Sequence, residues 1–501
     1  VTWLLPAVLV VPALGAIVAA ALPERSDRAG RLVGTAAAAL AFVASALLAL
    51  GWRSFGALGG SVIRPWHQLD VSWVPALDLR FHIGVDGISY PLVVLTTLLT
   101  LLCCGYTVWH VPSAGRGRLL VALLLVIEVG IVGVFLALDL VLFFVFFEVV
   151  LLPMYAVIAV WGGEASPATA RHAARKFVLY TLFGSVLLLV GIFTIVSQAH
   201  TSDIVRLTAG TSQLARGTQL AAFTLLALAF AVKSPLWPLH TWLPDAHTEA
   251  PTVGSVILAG VLLKMGTYGM IRVGLGVVPD GARWAAPVLG VLAVAAILIG
   301  GLVCLAQTEL KRLIAYSSVG HMGFVLLGIA TRSAIGIQAA LIGNIAHGVI
   351  TGLLFFLAGA VKDRAHTGEL NRLGGLRETA PGLSGLLGYA AIASLGLPGL
   401  AGFWGEAFAV VASLRRGGPL WTVLGVLAAF GAALAAAYFL RLLRLVTHGP
   451  PSTVVANLER PRLARAELVA WGPLVVLALG LGLVPALVLG VSLDTVKALF
   501  P

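Results

Sequence analysis

The chain is a succession of long apolar runs separated by short polar stretches, and the length of the runs sets the fold class. A helix needs about 20 residues to cross a bilayer. Fourteen runs meet or approach that length, near 2–22, 31–52, 87–109, 118–138, 140–161, 173–197, 218–242, 251–274, 284–305, 312–330, 335–360, 382–414, 420–446 and 467–489. Two of them carry breaks. In the seventh, Pro235 and Pro238 follow Lys233 at once. Each proline removes a backbone donor and clashes with the carbonyl four residues back, here those of Ala231 and Ser234. The twelfth is too long for one helix, and Pro398, Gly399 and Gly402 divide it. The pattern predicts an all-α polytopic membrane protein of about 14 transmembrane helices, the seventh and twelfth broken. The long connection 53–86 reads as a small ordered cap, and no stretch reads as a convincing strand.

The two broken helices suggest a repeat. Spans 4–8 (118–275) and 9–13 (284–446) each form a five-helix unit with a break in the fourth member. Spans 1–3 (1–117) precede them and span 14 (467–489) follows, all within one membrane domain, 1–501. Glu148 precedes Lys233 by the same 85 positions that separate His321 from Glu406. Units of five spans face opposite ways, the inverted arrangement of many transporters.

Composition agrees. The chain is 59% hydrophobic and 11% charged, against about 25% charged in soluble domains. The net charge of +11 would otherwise suggest nucleic acid, but the basic residues lie in short loops, where they report topology. Their excess in the loops after odd-numbered spans places those loops in the cytoplasm and both termini outside. The first run has no basic flank before it and reads as a span rather than a cleaved signal. Cys103, Cys104 and Cys304 match no zinc or iron–sulfur spacing and read as packing residues. No metal ligand set or cofactor-binding motif is recognisable.

Few charges lie inside the spans, and each is costly, roughly 2.5–3.5 kcal/mol on insertion scales. They are Glu128, Glu148, Lys233, Lys264 and Glu406, joined by His321 and His347. Glu148 has no polar neighbour on its own helix, so Lys233 is its natural partner. A carboxylate beside a lysine holds it charged, and moving the carboxylate lets the proton leave; the alternative is a static ion pair. Lys264, one turn after Gly260 and near mid-span, reads as a relay or as a lysine reaching for the interface. Glu406 follows the second break and reads as a terminal carrier or as a cap on freed backbone donors. His321 and His347 can bridge Lys264 to Glu406, since histidine titrates near neutrality, or can simply pack. His240 and His247 are candidates for relay or structure, Asp245 for a cap or local pair, and Glu128 for a local pair or a lateral contact with a neighbouring subunit. Lys311 and Arg312 read as topological charges facing lipid headgroups.

At these motifs the chain resembles a known family. Residues 233–273, and the run Glu309-Leu-Lys-Arg-Leu-Ile-Ala-Tyr-Ser-Ser-Val-Gly-His-Met-Gly to Gly323, resemble the signatures of the antiporter-like subunits of respiratory complex I, the NADH:quinone oxidoreductase. The resemblance covers nearly the whole chain. Glu406, where related subunits and antiporters carry lysine, and the stretch around Glu148 resemble the subunit M branch, the homologue of mitochondrial chain 4. The resemblance implies proton translocation, with Glu148 and Lys233 as input pair, Lys264 as central relay and Glu406 as output. It implies flavin and iron–sulfur clusters in partner subunits and none in this chain. The implied partners are other complex I membrane subunits and lipids, in a bacterial cytoplasmic membrane. Alternatives are a subunit of a cation/proton antiporter or membrane-bound hydrogenase, and a purely structural spacer.

Overall fold

The computed structural model describes residues 3–50, 52, 63–75, 79–163, 166–209, 214–458 and 462–500. Among them, twelve helices are long and apolar enough to cross a membrane. In chain order these and the half-helices are α1 (Leu4–Ala21), α2 (Glu24–Leu47), α3 (Tyr90–Trp109), α4 (Gly117–Leu136), α5 (Leu140–Trp161), α6 (Pro167–Ala199), the half-helices α7 (Arg216–Lys233) and α8 (Trp242–Glu249), α9 (Thr252–Leu275), α10 (Pro279–Ala306), α11 (Leu310–Thr331), α12 (Ala334–Ala365), the half-helices α13 (Pro381–Ser394) and α14 (Gly402–Arg416), α15 (Pro419–Thr447), α16 (Arg465–Leu483) and the shorter α17 (Ala486–Leu499).

Burial sorts the helices. The outer helices α1, α2, α6, α15 and α16 bury less than half of their apolar windows within the protein, whereas α9 is wholly buried and α12 is 94% buried. The two central helices touch backbone to backbone through glycine. A Cβ on Gly348 would lie 2.6 Å from the Gly260 carbonyl, so neither position has room for a side chain. The room left beside Gly260 is thus taken by a neighbouring helix. Small residues permit this approach where lipid supplies no hydrophobic drive.

The expectation of no strand is corrected. The cap in 53–86 contains an antiparallel hairpin, β1 (His67–Val74) and β2 (Leu79–Val85), with Asp70 opposite His82. Its sequence alternates apolar and polar positions, the period-2 signal of a strand, but over few residues and between much longer apolar runs. The hairpin is pinned to the loop after α6: His82 Nδ1 lies 2.7 Å from Asp203 Oδ2. Burial works against the Asp203 carboxylate, but the His82 contact and the Arg206 amide outweigh it and hold the carboxyl below the usual range. A lowered carboxyl contributes stability above its unfolded value of about 4 and loses it as pH falls through the folded value. Hydrogen exchange of β1 and β2 should therefore stay slow near neutrality and quicken only below about pH 4. In Asp203→Asn it should already be fast at neutral pH.

A second anchor joins the hairpin to the core. Asp86, just past β2, holds the turn that leads into α3 by accepting from the Ile88 and Ser89 amides, both at 3.0 Å. Its other oxygen meets Arg272 of α9 at 2.6 Å. Tyr268, one turn earlier, receives Arg272 Nε at 3.2 Å and donates to the Phe135 carbonyl at 2.9 Å. By position in the sequence Arg272 belongs with the loop charges; the structure leaves it 2% exposed.

Candidate functional site

Both helix breaks fall where the sequence places them, and their freed backbone groups find partners. At the first, between α7 and α8, the Phe230 carbonyl accepts the Ser234 amide and hydroxyl at 2.8 and 2.6 Å. The Ala231 carbonyl accepts the Leu236 amide at 2.9 Å, and the Val232 carbonyl accepts Trp242 Nε1 at 3.0 Å. Such repair is what permits broken helices at membrane depth. At the second, between α13 and α14, Gly396 and Gly399 hold φ of 73° and 93°, a left-handed conformation that glycine adopts without strain. The Ala401 amide donates to Ala478 of α16 at 2.9 Å.

The first break puts a charge at the favourable end of a half-helix dipole: Lys233 is the last residue of α7, at the negative end, whereas Glu406 lies past the first turn of α14. Lys233 is 2% exposed, and its ammonium sits 4.7 Å from the centre of the Phe147 ring. Glu148, the next residue, is half-buried and is the carboxylate whose field reaches Lys233. Among the described residues, however, no direct ion pair joins them, whereas the other pair at a spacing of 85, His321 and Glu406, is in contact.

That second pair belongs to a connected axis. Lys264 is 0% exposed, and its Nζ lies 2.5 Å from the Ala259 carbonyl and 2.6 Å from His347 Nδ1. A lysine reaching for the interface would show its head to solvent; this one points inward. Its helix is irregular on both sides: Leu258–Leu262 and Met270–Leu275 are π-helical turns, which free carbonyls and often mark functional positions. His347 is 5% exposed, and its Nε2 has no hydrogen-bond partner among the described residues. The His321 ring lies 5.9 Å away, centre to centre. His321 Nδ1 then meets Glu406 Oε1 at 2.7 Å, and its Nε2 lies 2.9 Å from the Ser394 hydroxyl.

Between the histidines is a cavity of about 30 Å³ lined by His321, His347, Ser394 and Glu406 among others. One water needs about 10–15 Å³ of such volume together with polar partners, so the space accommodates one or two. The axis therefore runs from Lys264 through His347 and across this cavity to His321 and Glu406. Lys233 approaches its other end. A Cβ on Gly266, two residues past Lys264, would meet the Phe230 carbonyl at 2.7 Å and the Ser234 amide at 2.9 Å. The Lys264 helix is thus pressed onto the first break.

The remaining candidates lie beside the axis. His247 is wholly buried and stacks on Phe355 at 4.5 Å, with both ring nitrogens unpartnered among the described residues; the nearby charges are Lys311 and Lys264. His240 sits in the first break, edge-on to Tyr316 at 6.1 Å. Asp245 pairs with Lys176 of α6 at 2.7 Å and Arg312 of α11 at 3.3 Å, so its partners come from two other helices and not from its own turn as the sequence suggests. Glu128 corrects both of its readings. It is 0% exposed, out of reach of a neighbouring subunit, and neither carboxylate oxygen has a hydrogen-bond partner among the described residues. Lys311 is also corrected. It turns inward, 4% exposed, and donates to the Ala250 carbonyl at the end of α8 at 3.1 Å. Pro235, Pro238, Pro398 and Gly399 all lie in the breaks or at their edges. What the sequence does not single out is Ser394, Asn344 with Thr267 at 3.1 Å, and the Asp86–Arg272 pair. Ser394, Asn344 and Thr267 are polar residues of common type in apolar helices, Asp86 lies in the loop before α3, and Arg272 sits near the end of its run; no spacing marks any of them.

The family model described as "NADH:quinone oxidoreductase/Mrp antiporter, TM" matches residues 137–431, which hold both breaks and the whole axis. The chain belongs to this family. Within it, the chain is 38% identical over 494 residues to NADH-quinone oxidoreductase subunit M of Rhodobacter capsulatus, covering 96% of this chain and 92% of that one. It is 37% identical over 484 residues to an NAD(P)H-quinone oxidoreductase chain 4 of Trichormus variabilis, covering 95% and 88%. Its fold matches a chain of respiratory complex I from Thermus thermophilus with bound NADH, at TM-score 0.84 and 29% identity over 99% of both chains. It also matches a chain of the Mrp complex from Dietzia sp., at TM-score 0.87 and 25% identity over 100% and 98%.

Proposed function

We propose that this chain is the antiporter-like M subunit of a bacterial proton-translocating NADH:quinone oxidoreductase, and that Glu148, Lys233, Lys264, His347, His321 and Glu406 move the proton. The observation that carries the reading is the buried run of contacts from Lys264 to Glu406 between two broken helices. In this reading the chain contributes no redox chemistry; flavin and iron–sulfur clusters sit in partner subunits. The chain lies in the cytoplasmic membrane with both termini outside.

A disturbance in a neighbouring subunit moves Glu148 relative to Lys233. With its counter-charge withdrawn, Lys233 raises the potential at Lys264. Lys264 Nζ then gives a proton to His347 Nδ1, 2.6 Å away. His347 Nε2 passes its own proton across the small cavity toward His321 and Glu406, which releases it outside. Moving one charge against 100 mV costs about 2.3 kcal/mol, within the range that displacing one buried charge provides. Lys233→Ala and Glu148→Ala should assemble into the complex yet lose most NADH-driven proton uptake in inverted vesicles. Uptake at the normal rate in either variant, with the complex fully assembled, would remove the input pair from the mechanism.

The Mrp likeness favours a second reading, a subunit of a cation/proton antiporter driven by ion gradients. It predicts Na⁺-dependent pH changes in vesicles and no flavin co-purifying with the chain. The subunit M and chain 4 names of the relatives at 37–38% identity favour the first reading.

A further inference from the structure

The outer helix α6 and the half-helix α8 are joined side by side by a polar seam. Tyr180 meets Thr241 at 2.7 Å, Lys176 Nζ donates to Asp245 Oδ2 at 2.7 Å, and Thr169 donates to Glu249 Oε2 at 2.9 Å. Thr241, Asp245 and Glu249 follow one another at i, i+4 spacing, so they share one face of α8. Their partners on α6 run the other way along the chain, which makes the two helices antiparallel neighbours. Within the seam the Phe177 ring packs against Trp242, centres 5.4 Å apart. The second oxygen of Asp245 reaches Arg312 of α11 at 3.3 Å, so one carboxylate ties α8 to both flanking helices.

This seam bears on the turn that ends in Lys233. Trp242 Nε1 donates at 3.0 Å to the carbonyl of Val232, the residue before it. One turn past Tyr180, Gly184 faces the same residue: a Cβ there would meet Val232 Cβ at 3.3 Å and the Ala229 carbonyl at 3.4 Å. The half-helix of the second break is held otherwise. A Cβ on Gly405 of α14 would lie 2.6 Å from Gly343 Cα of α12, a backbone contact with no partner to exchange. α8 rests instead on polar side chains of α6. That helix buries only 39% of its apolar window within the protein and turns Leu182, Phe183 and Val186 outward.

We propose that Asp245 is a positioning residue for Lys233: by clasping α8 to Lys176 of α6, it makes the outer helix and the Lys233 turn move as one body. This rests on the reading of Lys233 as part of the proton path. The chemistry of the clasp suits the task. Lys176 and Asp245 keep 28% and 23% exposure, and ion pairs so exposed add little to folding stability. Placement of a reacting group to within about 1 Å, by contrast, governs its rate. A displacement delivered to α6 from outside the chain therefore reaches the Lys233 turn through Asp245 and Trp242.

The test uses the intact complex in inverted vesicles, with NADH-driven proton uptake measured beside assembly on a native gel and thermal unfolding. Lys176→Met should lose most uptake, toward the roughly 100-fold that a misplacement of about 1 Å costs, with assembly and unfolding temperature unchanged. Lys176→Arg keeps the charge and should pump at close to the wild-type rate. Asp245→Asn should be at least as slow as Lys176→Met. The double variant should be no slower than Asp245→Asn alone, since both changes act through one contact. Wild-type uptake in Lys176→Met, an arginine variant as slow as the methionine one, or losses that multiply in the double variant would each overturn the proposal. So would a loss of uptake that goes with lost assembly or a lowered unfolding temperature. Lys233→Ala, measured in parallel, separates the clasp from the path it rests on. Normal uptake there removes the proton path itself, whereas loss there with normal uptake in Lys176→Met removes only the clasp.

Discussion

Lys264→Arg should stop proton transfer through this subunit nearly as completely as Lys264→Met. The side chain sits where Lys264 Nζ meets His347 Nδ1 at 2.6 Å, in a helix buried along its whole length. If the lysine only supplied a positive charge to hold α9 against α12, arginine would serve, because it keeps the charge and adds donors. A relay needs a group that gives its proton up. Arginine does not deprotonate in proteins, whereas lysine shifts readily when buried. Loss of a positioned proton-transfer group costs on the order of 10²-fold in rate. Both variants should therefore fall about 100-fold in translocation through this subunit, measured as NADH-driven proton uptake in vesicles with assembly checked on a native gel. Arginine at wild-type rates would show a static role for the charge.

Arg272→Ala should be strongly destabilising. It leaves Asp86 2% exposed and facing an empty space where the guanidinium was 2.6 Å away. Breaking a buried pair from one side costs about 3–5 kcal/mol, since the remaining charge stays buried without compensation. Tyr268 loses its Arg272 contact as well. Thermal unfolding of the purified chain should show the loss. Asp86→Asn combined with Arg272→Met should recover much of it, because removing both charges removes the unpaired one. The substituted side chain would still offer an amide oxygen to accept the Ile88 and Ser89 amides. A double variant no more stable than Arg272→Ala would show that the loss comes from what else the Arg272 side chain holds, its contact with Tyr268 included, rather than from an unpaired Asp86 charge.

These two residues mark different kinds of legibility. Lys264 is readable because lysine at mid-span is expensive and therefore rare. Arg272 sits eight residues later in the same run and near its end, where a basic residue ordinarily reports topology. The hairpin escapes notice because seven or eight alternating residues carry little weight beside runs of twenty. Glu128 stands out for its cost, yet nothing on its own helix tells where it points. Lys311 reads as a headgroup contact because a basic pair at a helix start usually is one.

By itself the sequence determined the membrane class, the place of the long apolar helices, the position of both breaks and the short list of charges that need a reason to be buried. Those follow from local rules: run length against bilayer thickness, proline against the helix ladder, and charge against hydrocarbon. Only the tertiary structure decided which charges meet. Glu148 with Lys233 and His321 with Glu406 are separated by the same 85 positions, yet of these two pairs only the second is in contact. Lys264 reaches His347 because Gly260 and Gly348 let two helices touch at their backbones, 83 residues apart in the chain. Contacts of that kind depend on how helices pack around one another, and helical periodicity within a single span does not encode them.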